Sequence, residues 1–328
     1  MKPTMNHSRL PSPLYSKGLA LIELMIAMVL GLVLIGAATG VMLSNTQSFR
    51  TTKSLSQIQD SARLGFELMA RDIRQAGSVP CGNDITVQNI ITAAQTNAPW
   101  YLNWDSGSNG QLIGYAGNTS LAGLTDRIDG TEALTVLYAD NVGTSVESIN
   151  NYAYTFNNAN SHFRSGDIAF ICNATQGTLF QTDISDGGVM TASQSVNTHT
   201  QPGIYEKNSV IGKLRSRTWY IGNNNRAAEG GRSLYLAELT VSSTGVPEVQ
   251  SIEIASGITD LKLGYRMNDT ADFRTATQIG SQWALVNAVQ VSLEMLGQDQ
   301  NVSTDSATDS GRLSRSFSSI VALRNRIL

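Results

Sequence analysis

The chain has 328 residues, with 23 basic and 26 acidic side chains for a net charge of −3, and 15% charged against 41% hydrophobic residues. That balance excludes nucleic-acid binding by bulk positive charge and leaves enough apolar material for a packed core. Asn, Gln, Ser, Thr and Gly fill much of the rest, a neutral polar surface consistent with life outside the cytoplasm.

Residues 17–42 read KGLALIELMIAMVLGLVLIGAATGVM, and from Leu19 to Leu43 the only ionisable side chain is Glu23. A helical run of that length, at about 1.5 Å per residue, exceeds the roughly 30 Å of a bilayer core, so a membrane span is expected. Lys2, Arg9 and Lys17 precede it with no acid. This bias keeps the N-terminus cytoplasmic and sends the remainder outward. An ordinary secretory signal has a shorter apolar core, about 7–15 residues, followed by a small-residue cleavage site. Here the plausible processing point precedes the apolar run, between Gly18 and Leu19. Cutting there removes the three leader cations, keeps the membrane helix and makes Glu23 the fifth residue. A carboxylate in hydrocarbon costs about 2.5 kcal/mol or more, so Glu23 needs a partner or a function.

Beyond the span, Leu55, Ile58, Ala62, Gly65, Met69, Ile73 and Ala76 recur every three or four residues. They draw one apolar stripe that continues the helix to Gly77, and Pro80 then blocks it. One helix of more than fifty residues is expected, its first half in lipid and its second half against a globular head. Gly31, Gly36 and Gly40 lower helix propensity in the membranous half, as glycines commonly do in membrane helices.

The two cysteines, Cys81 and Cys172, both follow the span, on the oxidising side. A disulfide is the expected arrangement and two buried thiols the alternative; too few ligands surround them for a metal. Candidate strands follow at 133–138, 167–172, 178–181, 218–221, 234–239, 249–254, 261–267, 284–295 and 316–322. In 284–295, Val286, Ala288, Gln290, Ser292 and Glu294 alternate with Val289, Val291, Leu293 and Met295, predicting one wet and one buried face. Polar loops at 222–232 and 297–311 separate them. The expected fold is α+β: a long N-terminal helix on a mainly antiparallel β-sheet head.

The N-terminal segment resembles the type III signal of type IV pilins and of type II secretion pseudopilins. Residues 63–77, RLGFELMARDIRQAG, resemble the helix of PilW-type minor pilins and of the related J-type pseudopilins, and residues 283–296 and 315–326 resemble the closing strands of that group. GDIAFICN, TWYIG and SLYLAEL, beginning at Gly166, Thr218 and Ser233, fall in the order expected of PilW. The resemblance implies cleavage by a prepilin peptidase after Gly18, N-methylation of Leu19 and an assembly role for Glu23. Leu19 stands where the family usually has Phe. The implied organisation is a leader at 1–18, a membrane half-helix at 19–43, an amphipathic half at 44–77 and a periplasmic or extracellular head at 78–328. The implied function is initiation of type IV pilus assembly within a minor-pilin priming or tip complex. Its implied partners are other minor pilins, the major pilin, a PilY-type tip protein and the inner-membrane assembly platform. A J-type pseudopilin, which is usually shorter, and a pilin-anchored surface-binding adhesin are the alternatives.

No enzyme is expected and no cofactor. His162 and His199 stand in no catalytic spacing, and the chain holds no G-x-S-x-G, P-loop, H-E-x-x-H or dinucleotide fingerprint. Asp126 with Asp129, and Asp183 with Asp186, are expected as turn formers rather than acid/base pairs. Asp299, Asp305 and Asp309 crowd one loop, and Asp183, Asp186, Gly187 and Gly188 another, but neither matches a calcium loop and solvated loops are expected. Trp100, Tyr101 and Trp104 are expected to be buried in the head rather than to form a binding surface.

Overall fold

Helix α1 runs Leu21–Gln75 as one uninterrupted element. The structure, a computed structural model, describes residues 21–82, 85–92, 100–104, 111–158, 163–185, 188–199, 202–268, 270–303 and 309–326. The chain divides into two compact units, Met1–Thr52 and Lys53–Leu328. In the second unit the predicted stripe is the packed face of the helix: Ile58, Ala62, Gly65, Met69, Ile73 and Ala76 are buried and Leu55 is half-buried. The helix stops at Gln75, Gly77 takes φ +72°, and its N–H donates to Leu137 O at 2.9 Å. A left-handed residue at this point is what glycine tolerates and other residues resist.

Fourteen strands follow: β1 (Thr86–Asn89), β2 (Leu112–Tyr115), β3 (Ala133–Asn150), β4 (Ala153–Phe156), β5 (Ile168–Cys172), β6 (Gln176–Ser185) and β7 (Val189–Ala192), then β8 (Val210–Asn223), β9 (Arg232–Val241), β10 (Pro247–Ser256), β11 (Ile258–Met267), β12 (Phe273–Arg274), β13 (Val286–Leu296) and β14 (Ser314–Ala322). A short helix, α2 (Ala276–Ile279), is closed by a capping box between Thr275 and Gln278. The predicted helix on a mainly antiparallel sheet head is observed.

In the larger sheet the order is β10–β9–β8–β5–β6–β7–β4–β3–β2, with β1 parallel to β6 and β3 also paired with β8. Strands β8, β5, β6, β7, β4 and β3 therefore close into a ring, completed where Tyr154 pairs with Met190. Closure is one way an antiparallel sheet removes its edges. Tyr154, Phe156, Ile171, Phe180, Met190 and Ile211 from these strands form one buried cluster. Strand β3 serves both β8 and β4 by bending between Asn141 and Thr144, where Gly143 has φ +69° and its N–H is held by Asn141 Oδ1 at 2.8 Å.

A second, four-stranded antiparallel sheet has the order β12–β11–β13–β14. The helix stripe buries Leu134, Trp219 and Leu234 of the larger sheet and Leu261, Val289 and Leu293 of the smaller one in one core. Gly65 marks the close approach, since a Cβ there would stand 3.2 Å from Leu234 and 3.3 Å from Leu293.

All nine predicted strands are present, most of them longer than expected. The wet face assigned to β13 needs correction, because Val286 and Ala288 are buried. Residues 283–285 form a 3₁₀ turn, and β13 carries an extra residue, Asn287, where Met267 faces Val286 and Arg266 faces Ala288. That bulge reverses the side-chain phase for Val286. Ala288 keeps the outer phase, but it is a methyl between Arg266 and Ala322 and exposes almost nothing.

Candidate functional site

Considered alone, the first unit presents an apolar helix on which no other described residue of that unit packs. From Leu21 to Arg50 every residue is exposed except half-buried Gly31; Leu21 is 78% and Met42 72% exposed. The helix is long and apolar enough to cross a membrane. Between Leu21 and Arg50 the only ionisable side chain is Glu23. Thr39 donates its hydroxyl to Ile35 O at 2.7 Å, which satisfies the one side-chain donor between Glu23 and Leu43 within the helix itself. An added Cβ at Gly31, Gly36 or Gly40 would meet nothing within 4 Å. The implied processing residues Gly18 and Leu19 lie outside the described residues.

In the second unit the helix is fixed by a charge that the apolar stripe conceals. Asp72 is fully buried. Its Oδ1 accepts from Arg217 Nη1 at 2.9 Å, and its Oδ2 accepts from the Trp219 indole N–H at 3.0 Å. Arg217 Nη2 also donates to Glu238 Oε1 at 3.2 Å. Strand period places Lys213, Arg215 and Arg217 on one face of β8. Each finds acids from neighbouring elements: Lys213 with Asp167 at 2.8 Å, Arg215 with Asp140 at 3.3 Å, Arg217 with Asp72 and Glu238. Desolvation raises the Asp72 pKa above the usual carboxylate value, and the opposing pull of Arg217 and the Trp219 N–H does not cancel it. Burial acts against the charge of Arg217, but Asp72 outweighs it and holds the guanidinium cationic. The carboxyl is thus the member of the pair that titrates.

Cys81 and Cys172 are joined by a disulfide with Cα atoms 6.0 Å apart. The bond ties the segment after the helix to the last residue of β5. Cys172 is fully buried whereas Cys81 is half-buried.

The remaining candidates are dispersed. Trp104 is buried against Phe170 with ring centroids 6.0 Å apart. Trp100 and Tyr101 are half-buried and meet edge to face at 5.3 Å. Asp126 is no loop ornament: its carboxylate accepts from the Tyr220 hydroxyl at 2.9 and 3.0 Å. His199 is exposed, and His162, Asp186, Gly187 and Asp305 lie outside the described residues. Asp309 faces Arg312 at 4.0 Å. Among the described residues no group of three or more His, Cys, Asp or Glu could hold a metal ion. An open cleft of about 1160 Å³ beside β8 is lined by Asp140, Arg164, Asp167, Lys213, Arg215 and Glu238 among others. Its charges are balanced, and most are paired with one another.

No protein-family profile, curated protein sequence or solved structure matches the chain. The molecule's chemistry is therefore carried by its own features: the bare apolar helix with its single acid, and a head fixed to the later part of the helix by a buried ion pair and to the segment after the helix by a disulfide.

Sequence reasoning missed Asp72 although two signals marked it. It stands three residues after Met69 and directly before Ile73, on the apolar stripe where an acid is out of place. The basic residues at 213, 215 and 217 have the period of a strand face and needed acids opposite them.

Proposed function

We propose that this chain is a PilW-type minor pilin that helps to initiate type IV pilus assembly within a priming or tip complex. The observation that carries the reading is the helix from Leu21 to Arg50, which exposes apolar side chains on every side and a single carboxylate, Glu23. Water cannot solvate such a helix; lipid or a bundle of similar helices can. In the bilayer the helix holds the chain as a single-pass inner-membrane protein, with the N-terminus cytoplasmic and the head periplasmic. On extraction it packs among companion helices. There Glu23 meets the cationic N-terminal amine of Leu19 on a neighbouring subunit, offsetting desolvation that an isolated charge could not offset. The head carries no proposed catalysis; its role is contact with other minor pilins, the major pilin and a PilY-type tip protein.

Deleting the gene and restoring it on a plasmid tests this reading. Surface pili should fall steeply without the chain and return with it, and the tagged chain should co-purify from membranes with companion minor pilins. Normal piliation in the deletion, together with co-purification with secretion-pathway pseudopilins, overturns it.

A further inference from the structure

The sheet edges of the second unit are unequally protected. Strands β1 and β2 have four residues each and β12 has two, while β10 opens with Pro247 and carries Glu248 and Glu253. Short strands, prolines and edge charges are the devices that keep sheet edges from pairing with other chains. Strand β14 has none of them except Arg315. It runs nine residues, pairs with β13 along its whole length from Ser314↔Leu296 to Ala322↔Ala288, and has no strand on its other side among the described residues. Eight of its nine residues are exposed or half-buried on one face or the other, and Ile320 is 57% exposed.

Successive residues of an antiparallel strand send their N–H and C=O groups to opposite sides. About half of the main-chain groups of β14 therefore face outward, without a partner among the described residues. Side-chain charge says what fits there. From Arg312 to the end of the sequence there is no acid. Among the described residues the exposed Arg315 guanidinium bonds only its neighbouring Ser314 O, at 2.8 Å, and the exposed Arg324 guanidinium has no partner. The two cations flank the open edge. A second copy is disfavoured, because antiparallel self-pairing centred between Ser319 and Ile320 sets each Arg315 against the other copy's Arg324, and like charges in register repel.

We infer that the outer edge of β14 docks an extended strand of a partner protein, one that carries acidic side chains at both ends and adds itself to the small sheet. Main-chain hydrogen bonds supply the attraction and the two arginines select the charge. This inference rests on the sheet edge alone and not on the pilin reading.

The test uses the full chain in nonionic detergent micelles and the labelled peptide Glu-Val-Thr-Val-Thr-Val-Thr-Val-Glu, with a counterpart in which lysine replaces both glutamates. By fluorescence anisotropy the glutamate peptide should bind at least about fivefold more tightly than the lysine peptide. The double variant Arg315→Glu/Arg324→Glu, both at exposed positions, should reverse that order. Ser318→Pro and Ser319→Pro form a matched pair, since only one of these N–H groups faces outward. The outward proline should abolish binding while circular dichroism stays that of the wild type. No binding of the glutamate peptide, or binding indifferent to the arginine reversal, overturns the inference. So does a concentration-dependent dimer that the outward proline dissolves, which places a second copy on the edge.

Discussion

Asp72 Oδ1 and Arg217 Nη1 lie 2.9 Å apart, joining the helix to the centre of the larger sheet at a fully buried carboxylate. The contact fixes the rotation of the helix about its own axis, because a helix turned by one residue would bury a different side chain beneath Arg217 and Trp219. Specificity rather than net stability is the usual return on such a pair, since desolvation consumes much of the Coulomb attraction.

Removing the arginine should expose that cost. Arg217→Met leaves the buried Asp72 with the Trp219 N–H and a longer, 3.7 Å contact to the exposed Arg71, and a loss of about 3–5 kcal/mol is expected at pH 7. The pH dependence has a definite sign. Because the folded Asp72 pKa is raised, its contribution to stability is complete below the ordinary carboxylate pKa and is lost as pH rises through the raised value. The stability of wild type relative to Asp72→Asn should therefore be greatest in acid and shrink towards neutrality. Urea titrations of the full chain in detergent at several pH values would measure it; a difference that grows with pH contradicts the assignment.

The Cys81–Cys172 bond closes a separation of 91 residues. In the chain-entropy account such a loop is worth about 4–5 kcal/mol. Cys81→Ala/Cys172→Ala should lower the urea midpoint accordingly, and the unreduced wild-type protein should yield the two cysteine peptides joined in mass spectrometry. With no other cysteine in the chain, free thiols at both positions would be unambiguous.

Much of this architecture was legible because its signals are periodic and local. The stripe from Ile58 to Ala76 has helical spacing, and the long strands announce themselves through runs such as Val289 to Met295. The ring closure was not legible. It depends on β4 and β7, four residues each, and on a single pair, Tyr154 with Met190, whose partners are 36 positions apart in sequence. Nor could alternation alone place Val286, since the bulge at Asn287 appears only once β11 supplies the register. For the candidate site, Glu23 stood out as a lone acid among apolar residues, whereas Asp72 was hidden by the ordinary charges of Arg71 and Arg74 beside it.

Processing is expected at Gly18. A bulky residue there, such as Gly18→Phe, should leave the full-length precursor in the membrane and abolish the chain's contribution to piliation. N-terminal sequencing of the wild-type mature chain should begin at Leu19, and any other start removes the prepilin-peptidase reading.

Glu23 should act in assembly rather than in insertion or in folding of the head. A carboxylate in the apolar helix is disfavoured by the bilayer by about 2.5 kcal/mol or more, so its retention calls for a compensating contact that the isolated subunit lacks. Among the described residues of the first unit no such contact exists: Glu23 is exposed and has no ion-pair partner there. Replacing it with alanine makes the helix more apolar, so export, leader removal and head stability should be nearly unchanged while incorporation into the initiating complex weakens. A subunit at the extreme tip has no neighbour ahead of it, which would make the defect partial. Co-purification with companion minor pilins and surface pilus counts, measured together on Glu23→Ala, separate the possibilities. Unchanged values in both remove the assembly role, and an uncleaved precursor as the sole defect moves Glu23 to recognition by the peptidase.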